Sequence, residues 1–300
     1  MITSTMYLYT ETPLHAGAGS GLSSIDLPIQ RERATQYPMI QGSGVKGKLR
    51  ASLEDREGLT EEQKERINIV FGPSAINGAG SDYAGALIAG DARLLLFPVR
   101  SLNGVFAYTT SYDVLSRFKR DMERGQNKAL NWNVPTPAQD TVLVTQKSEV
   151  HSNNTIVLEE FSFDTKSSSD VDTIAEWLAT NALPNLGDYW SNKLRTSLAI
   201  LPNDVFRDFA LYATEVITRV SIDRKTKTAV GKALWTEEHL PTDTLLYVPL
   251  YANKGRKKDA SMTEQDVMAE VATLNSTCIQ LGGDETVGRG LVHIRLENGQ

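Results

Sequence analysis

QYPMIQGSGVKGKLRASLEDR, residues 36–56, is the stretch on which the fold class turns. Within it, Gly42-x-Gly44-x-x-Gly47 imitates a dinucleotide fingerprint, and Gly42-x-x-x-x-Gly47-Lys48 imitates a P-loop. Either would impose a parallel, nucleotide-binding sheet. Both fail on detail. A P-loop needs Ser or Thr after its lysine to hold magnesium, and that position is Leu49. A dinucleotide fold needs a strand and an acidic residue roughly twenty residues later, whereas this chain runs into a second helix. What survives is a short strand, a glycine turn through Gly42, Ser43 and Gly44, and a helix whose Val45, Leu49 and Leu53 recur every fourth residue. Lys46 and Arg50 share the neighbouring face, with Lys48 beside them. Glycines that admit close approach, free N–H groups at a helix start and adjacent cations make a phosphodiester-binding design. A glycine turn before an ordinary amphipathic helix fits the same residues equally well.

Working outward, MYLYTETPLH (6–15) reads as a strand, and residues 16–36, rich in Gly and Ser, form a loop long enough to be functional. Downstream, Thr60 and Gln63 make a capping box for a helix ending near Phe71-Gly72-Pro73, and residues 74–84 read as loop. GALIAGDARLLLFPV (85–99) reads as one long strand, turned by Asn103-Gly104 into VFAYTT (105–110), and residues 111–125 as a helix. Residues 131–220 are more mixed. They offer a loop with Pro135 and Pro137, strands near 141–145 and 155–163, a linker-like KSSSD (166–170), and helices near 170–181 and 188–200. VITRVSID (216–223) and AVGKALW (229–235) flank a cationic turn and predict a protruding hairpin. LLYVPLYA (245–252) is a strand. Ser261 and Glu264 cap a helix carrying Val267, Val271, Leu274 and Cys278 that stops at Gly282-Gly283, and GRGLVHIRLE (288–297) closes as a strand. The strongest elements run strand, helix, strand, strand, helix, strand, which is the ferredoxin-like (RRM-like) order of an α+β fold.

The 300 residues are 40% hydrophobic and 23% charged, enough for a large core and too apolar for a disordered chain. No stretch reaches 18 uncharged apolar residues, which excludes a spanning helix. The N-terminus has no basic segment leading into an apolar one, so cytoplasmic residence is expected. One cysteine and four scattered histidines exclude a disulfide framework and zinc-finger spacing. A net charge of −6 argues at first against nucleic acid. The distribution says otherwise. Three tracts, 43–50, 219–232 and 253–259, hold 12 basic against 2 acidic residues, leaving 19 basic and 35 acidic elsewhere, a net −16. Concentrated cations on a repelling body make local phosphate-binding surfaces. Taken singly, each tract also reads as solvated loop lysines. A second glycine cluster, LGGDETVGRG (281–290), places Gly282, Gly283 and Arg289 where a backbone phosphate fits, or where a helix simply stops.

PMIQGSGVKGKLR (38–50) and LGGDETVGRG are similar to the paired glycine motifs of the RAMP superfamily. HAGAGSGLSSIDLPIQRE (15–32) and RVSIDRKTKTAVGKALWTEEHLP (219–241) resemble, more narrowly, the repeated backbone subunit of type III-B CRISPR effector complexes. The resemblance spans residues 5–296 and is weak over 74–200. It implies one domain: a ferredoxin-like palm (1–130 and 241–300), an insertion (about 131–215) and a thumb hairpin (about 216–240). It implies copies of this chain polymerised along a CRISPR RNA with other type III-B subunits, cutting complementary target RNA in antiviral defence. Gly42, Ser43, Gly44, Lys46, Lys48, Arg50, Gly282, Gly283 and Arg289 would grip the guide backbone, leaving sequence reading to base pairing. Arg219, Arg224, Lys225 and Lys227 belong to the thumb, which would flip out a nucleotide and align its 2′-hydroxyl with the scissile phosphorus.

By the same resemblance Asp26 is the catalytic residue, as general base or as ligand of a divalent metal, Mg2+ or Mn2+. His15 would bind or polarise the scissile phosphate, and Glu238, beside Glu237, would approach it. Without the resemblance, Asp26 is a turn residue bonding its own backbone. Two other functions fit the sequence: a non-catalytic RNA-binding filament subunit, and a related repeat-processing endoribonuclease. Asp26→Asn separates the first, and cleavage of precursor RNA without a target the second. His151, His239 and His293 receive no role.

Overall fold

The computed structural model describes residues 1–21, 24–73, 83–126, 129–185, 187–258 and 261–297, with the side chains of residues 125, 126, 232 and 233 left undescribed. Most of the loop expected at 74–84, the side chain of Lys232 and Asp259 therefore lie outside the described residues. In chain order the elements are β1 (Ile2–Thr10), β2 (Met39–Ile40), α1 (Gly42–Glu54), α2 (Glu61–Phe71), β3 (Leu87–Ala89), β4 (Ala92–Arg100), β5 (Phe106–Ser111), α3 (Tyr112–Gln126), β6 (Thr141–Val144), β7 (Thr155–Leu158), β8 (Phe161–Ser167), α4 (Ser169–Asn181), α5 (Asp188–Ser197), β9 (Leu198–Leu201), α6 (Asn203–Tyr212), β10 (Glu215–Ile222), β11 (Ala229–His239), β12 (Leu245–Ala252), α7 (Glu264–Ala272), β13 (Cys278–Gln280) and β14 (Leu291–Leu296).

The chain is mixed α and β, built on a large mixed sheet ordered β13-β14-β1-β12-β4-β5-β9-β6-β8-β7. Its segment β14-β1-β12-β4 is antiparallel throughout. From Met6 to Thr10 every residue of β1 is buried, because helices cover the sheet: α3 lies on β1, β4 and β5, and α7 on β1 and β12. The amphipathic face of α3 supplies Val114, Leu115, Phe118 and Met122, and Phe118 packs its ring edge on Tyr247, 5.0 Å between centroids. Burying a side chain of this size contributes about 1.5–3 kcal/mol.

Local chemistry explains several boundaries. The Thr60/Gln63 capping box opens α2, and Gly72, at φ 104°, ends it. Val45, Leu49 and Leu53 bury the expected face of α1. β10 and β11 pair antiparallel as a separate two-stranded hairpin, with a register shift between Val220 and Ile222.

Other expectations need correction. The first strand begins at Ile2 and stops at Thr10 rather than running over 6–15. The strand expected over 85–99 breaks at Gly90-Asp91: Gly90 sits against Pro249, and the Asp91 carboxylate accepts the Gly42 N–H. The strand near 155–163 is a hairpin, β7 to β8, turned at Glu159 in the left-handed region, and KSSSD is a strand end and a helix start rather than a linker. The helix expected to 200 yields at Ser197 to the fully buried β9, and α6 was not anticipated. Thr263 and Asp266, not Ser261 and Glu264, make the α7 capping box. That helix ends at Ala272, Cys278 lies in β13, and Gly282 therefore stops no helix. The loop 16–36 is laced by bridges Gly17–Ile29 and Arg31–Pro38.

Candidate nucleic-acid interface

The free edge of β11, opposite β10, organises the site. Leu14 bridges Leu240, and Leu27 bridges Glu237 while exchanging backbone bonds with Thr236 and Glu238. Two candidate residues thereby become attached to one strand. Asp26 is exposed, and its Oδ2 accepts from the Thr236 backbone N–H at 2.8 Å and from its hydroxyl at 2.9 Å. These bonds, the backbone one first, hold the Asp26 carboxyl below the usual aspartate range. Oδ1 has no hydrogen bond among the described residues. His15 Nδ1 lies 2.7 Å from the Glu238 carbonyl oxygen. A carbonyl only accepts, so Nδ1 carries the proton and Nε2 keeps its lone pair in the neutral ring. The two anchor points on β11 are two residues, or roughly 7 Å, apart.

Glycines close in on His15 from two directions. A Cβ on Gly17 would meet its Nε2 at 2.8 Å, and one on Gly282, at φ 77°, would meet its carbonyl oxygen at 2.2 Å. The Gly283 N–H donates to that same oxygen at 2.9 Å. Beside this packing lies a groove of about 500 Å³ whose lining includes Gly17, Gln30, Gly44, Gly47, Lys48 and Gly282. The two glycine clusters, more than 230 residues apart in the chain, thus line one groove. A Cβ on Gly47 would meet nothing within 4 Å, so its surface is open to a ligand. Lys48 lines the groove and has no ion pair among the described residues.

Several candidates are committed elsewhere. Lys46 Nζ donates to the Leu87 carbonyl at 2.8 Å, and burial, with Arg256 and Arg50 nearby, pushes its ammonium down. Arg50 is bonded to Glu54, Asn68 and the Gly72 carbonyl. Lys46 and Arg50, expected to grip the guide backbone, thus both reach protein partners in this structure. The N–H of Gly42 is taken by Asp91, and its missing Cβ makes room for the Ala89 carbonyl, so that end of α1 already holds an anion. Ser43 and Gly44 stay exposed.

Glu238 is corrected too. It is 2% exposed and pairs with Arg31 while accepting from Thr214 and the Ile29 N–H, which makes it a buried tie between loop and hairpin rather than a group facing a phosphate. Arg219 pairs with Glu237 at 2.8 Å and Asp284 at 2.9 Å, and Arg289 lies 3.9 Å from Glu215. Among the described hairpin cations, Arg224, Lys225 and Lys227 at the tip are exposed, on a turn bonded to Asp223. Sequence reasoning missed Thr236, Arg31 and Asp284, because only the folded chain brings them to their partners.

The divalent metal expected at Asp26 finds no set of protein ligands. Among the described residues, one group, Glu237, His239 and Asp284, brings three ligand atoms within 4.8 Å. Asp26 is not in it, and the guanidinium of Arg219 already bonds two of its carboxylates. The residues present do not fit a protein-held Mg2+ or Mn2+ at Asp26.

No helix among the described residues is long and apolar enough to cross a membrane. The RAMP superfamily model matches residues 7–293. The chain is 38% identical over 290 residues to the CRISPR system Cmr endoribonuclease Cmr4 of Pyrococcus furiosus, covering 97% of this chain and 94% of that one. The crystal structure of oligomeric Cmr4 from Pyrococcus furiosus superimposes with a TM-score of 0.74 at 33% identity, over 99% of this chain and 98% of that one. A chain in the cryo-EM structure of the type III-B Cmr-beta complex bound to cognate target RNA shares the fold, with a TM-score of 0.72 at 21% identity over 99% and 97% of the two chains. A family match over nearly the whole length, with the glycine clusters forming one groove, establishes that the chain belongs to the RAMP superfamily and, within it, to the family of these Cmr4 relatives.

Proposed function

We propose that this chain is a CRISPR RNA-binding backbone subunit of a type III-B effector complex and cuts guide-complementary target RNA at regular intervals. The observation that carries the reading is the mooring of an exposed carboxylate, Asp26, with no ion pair among the described residues, to a projecting hairpin whose root also anchors His15. The 38% identical Pyrococcus relative bears the name endoribonuclease, and its 33% identical crystal structure is described as oligomeric, which supports both cutting and self-association. The palm reading, 1–130 and 241–300, is supported by the antiparallel order β14-β1-β12-β4, which is the ferredoxin-like order of its four core strands. The insertion is about 131–215 and the thumb about 216–240. The chain acts in the cytoplasm on guide RNA and target RNA, alongside further copies of itself and other complex subunits.

In this reading Lys48, Gly44, Gly47, Gly282 and Gly283 hold guide phosphates, and Arg224, Lys225 and Lys227 at the thumb tip meet the guide–target duplex. A carboxyl held below the usual range is a weak base near pH 7, so Asp26 orients and stabilises charge rather than taking the proton. His15 Nε2 has the free lone pair suited to the attacking 2′-hydroxyl. Attack on phosphorus in line with the departing 5′-oxygen leaves a 2′,3′-cyclic phosphate and a 5′-hydroxyl. Mg2+ or Mn2+ would enter this proposal only as an ion arriving with the RNA and neutralising phosphate charge, since Asp26 belongs to no group of three metal-ligating side chains among the described residues.

The test reconstitutes the complex with guide and labelled target. Asp26→Asn lowers the cleavage rate on the order of 100- to 1,000-fold with target affinity kept. Full cleavage by that variant makes the chain a filament subunit only. Because Asp26 has a lowered pKa, its charge is present above the usual aspartate value and is lost only as pH falls through the lower one. Between pH 5 and 8, therefore, Asp26 contributes no step to the rate profile. EDTA that leaves cleavage unchanged removes the metal from the proposal and nothing else.

A further inference from the structure

Alternate side chains of β11 face opposite ways and are put to different uses. Thr236 and Glu238 hold the loop that carries Asp26. Trp235, Glu237 and His239 form a second set. The indole N–H of Trp235 donates to Glu237 Oε1 at 2.6 Å, Glu237 Oε2 accepts from Arg219 on β10, and Arg219 reaches on to Asp284 Oδ2 in the C-terminal glycine loop. His239, fully buried, lies 3.3 Å from the same Asp284 oxygen, so its Nε2 carries the proton and its Nδ1 is left without a partner. The His239 ring lies 5.4 Å from the ring of His15, tilted at 54°.

Asp284 sits at φ 62°, a left-handed conformation that aspartate tolerates at some cost and keeps where its side chain is held. Its neighbour Gly283 donates to the His15 carbonyl, so the residue that receives Arg219 adjoins the residue that braces His15. A weaker second link runs the other way in charge, Glu215 of β10 to Arg289 of the loop. Glu215 and Arg219 of β10 thus meet Arg289 and Asp284 of the loop with opposite charges at both contacts.

We propose that Asp284 is a positioning residue: through Arg219 and His239 it locks the root of the hairpin onto the glycine loop and fixes the separation between the Asp26 mooring and the His15 cradle. The inference rests on the cleavage reading above, and in it Asp284 acts through its protein partners Arg219 and His239. Arg219 is then a strut within the protein rather than a phosphate contact. A divalent cation is not the occupant of this cluster, because the guanidinium already supplies the positive charge between its carboxylates.

Two measurements test it. In the reconstituted complex at saturating target, Asp284→Asn lowers kcat on the order of 100-fold with KM and guide affinity held within about threefold, since misplacement of reacting groups costs rate rather than binding. Asp284→Glu, which keeps the charge, recovers part of the loss. The second readout needs no cleavage: spin labels at Val230→Cys on the hairpin and Leu102→Cys on the body, in a Cys278→Ser background of the full chain. The distance distribution is narrow with Asp284 present and broad in Asp284→Ala. An unchanged distribution overturns the strut, as does an unchanged kcat in Asp284→Asn when Asp26→Asn is inactive. If Asp26→Asn cuts normally while the distribution still broadens in Asp284→Ala, the cleavage reading fails and the mechanical role of Asp284 stands.

Discussion

The root and the tip of the hairpin share one antiparallel ladder and differ in almost everything else. At the root, Glu237, Glu238 and His239 are buried and bonded to Arg219, Arg31, Thr214 and Asp284. Toward the tip, Val220, Ile222 and Leu234 stand 45%, 59% and 66% exposed beside Arg224, Lys225 and Lys227, with no core beneath them. Exposed apolar side chains flanked by cations suit a nucleic acid, whose bases offer apolar faces and whose backbone offers charge. The root is held by its own side chains; the tip has the ladder and one Asp223 turn, and its surface is left for a partner. Polar density near a proposed RNA site thus marks the scaffold at one end and the contact at the other.

The sharpest attack on this contrast is at the root. Glu238→Ala leaves the Arg31 guanidinium, only 12% exposed, without its carboxylate, and removing one partner of a buried pair costs about 3–5 kcal/mol. A denaturant titration of the full chain reads this directly, and a loss below about 1 kcal/mol would make Glu238 an ordinary surface acid. A gentler change tests the mooring. Thr236→Val removes the hydroxyl from Asp26 and keeps the backbone N–H, so cleavage falls on the order of 10-fold, less than in Asp26→Asn, with stability nearly unchanged. Equal losses in the two variants would mean that the hydroxyl itself takes part.

The smallest effect on the protein belongs to the tip. Replacing Arg224, Lys225 and Lys227 together with Ala leaves unfolding within about 0.5 kcal/mol, since none is buried. It also flattens the dependence of RNA affinity on salt by up to about three phosphate contacts. An unchanged salt slope would assign the tip to something other than RNA.

Elements with a strong local signal were legible in advance. The Thr60/Gln63 box, the four-residue repeat of α1, the Asn103-Gly104 turn and the hairpin follow from chemistry within a few residues. Misreadings came where distant partners decide. Gly90-Asp91 breaks a strand because Pro249 and Gly42 lie against it, and the C-terminal helix ends early because Cys278 and Ile279 pair with β14.

The site divides in the same way. From the sequence alone came the residue types, two glycine clusters, a cationic hairpin and a lone aspartate in a serine-rich loop. Tertiary structure decided which of them remain free: among the described residues Lys48 and the tip cations have no ion pair, whereas Lys46, Arg50, Arg219 and Glu238 are bound to protein groups. The physical reason is that a charge's availability depends on what packs within about 3 Å of it. Those neighbours come from segments tens to hundreds of residues away, which no local pattern records.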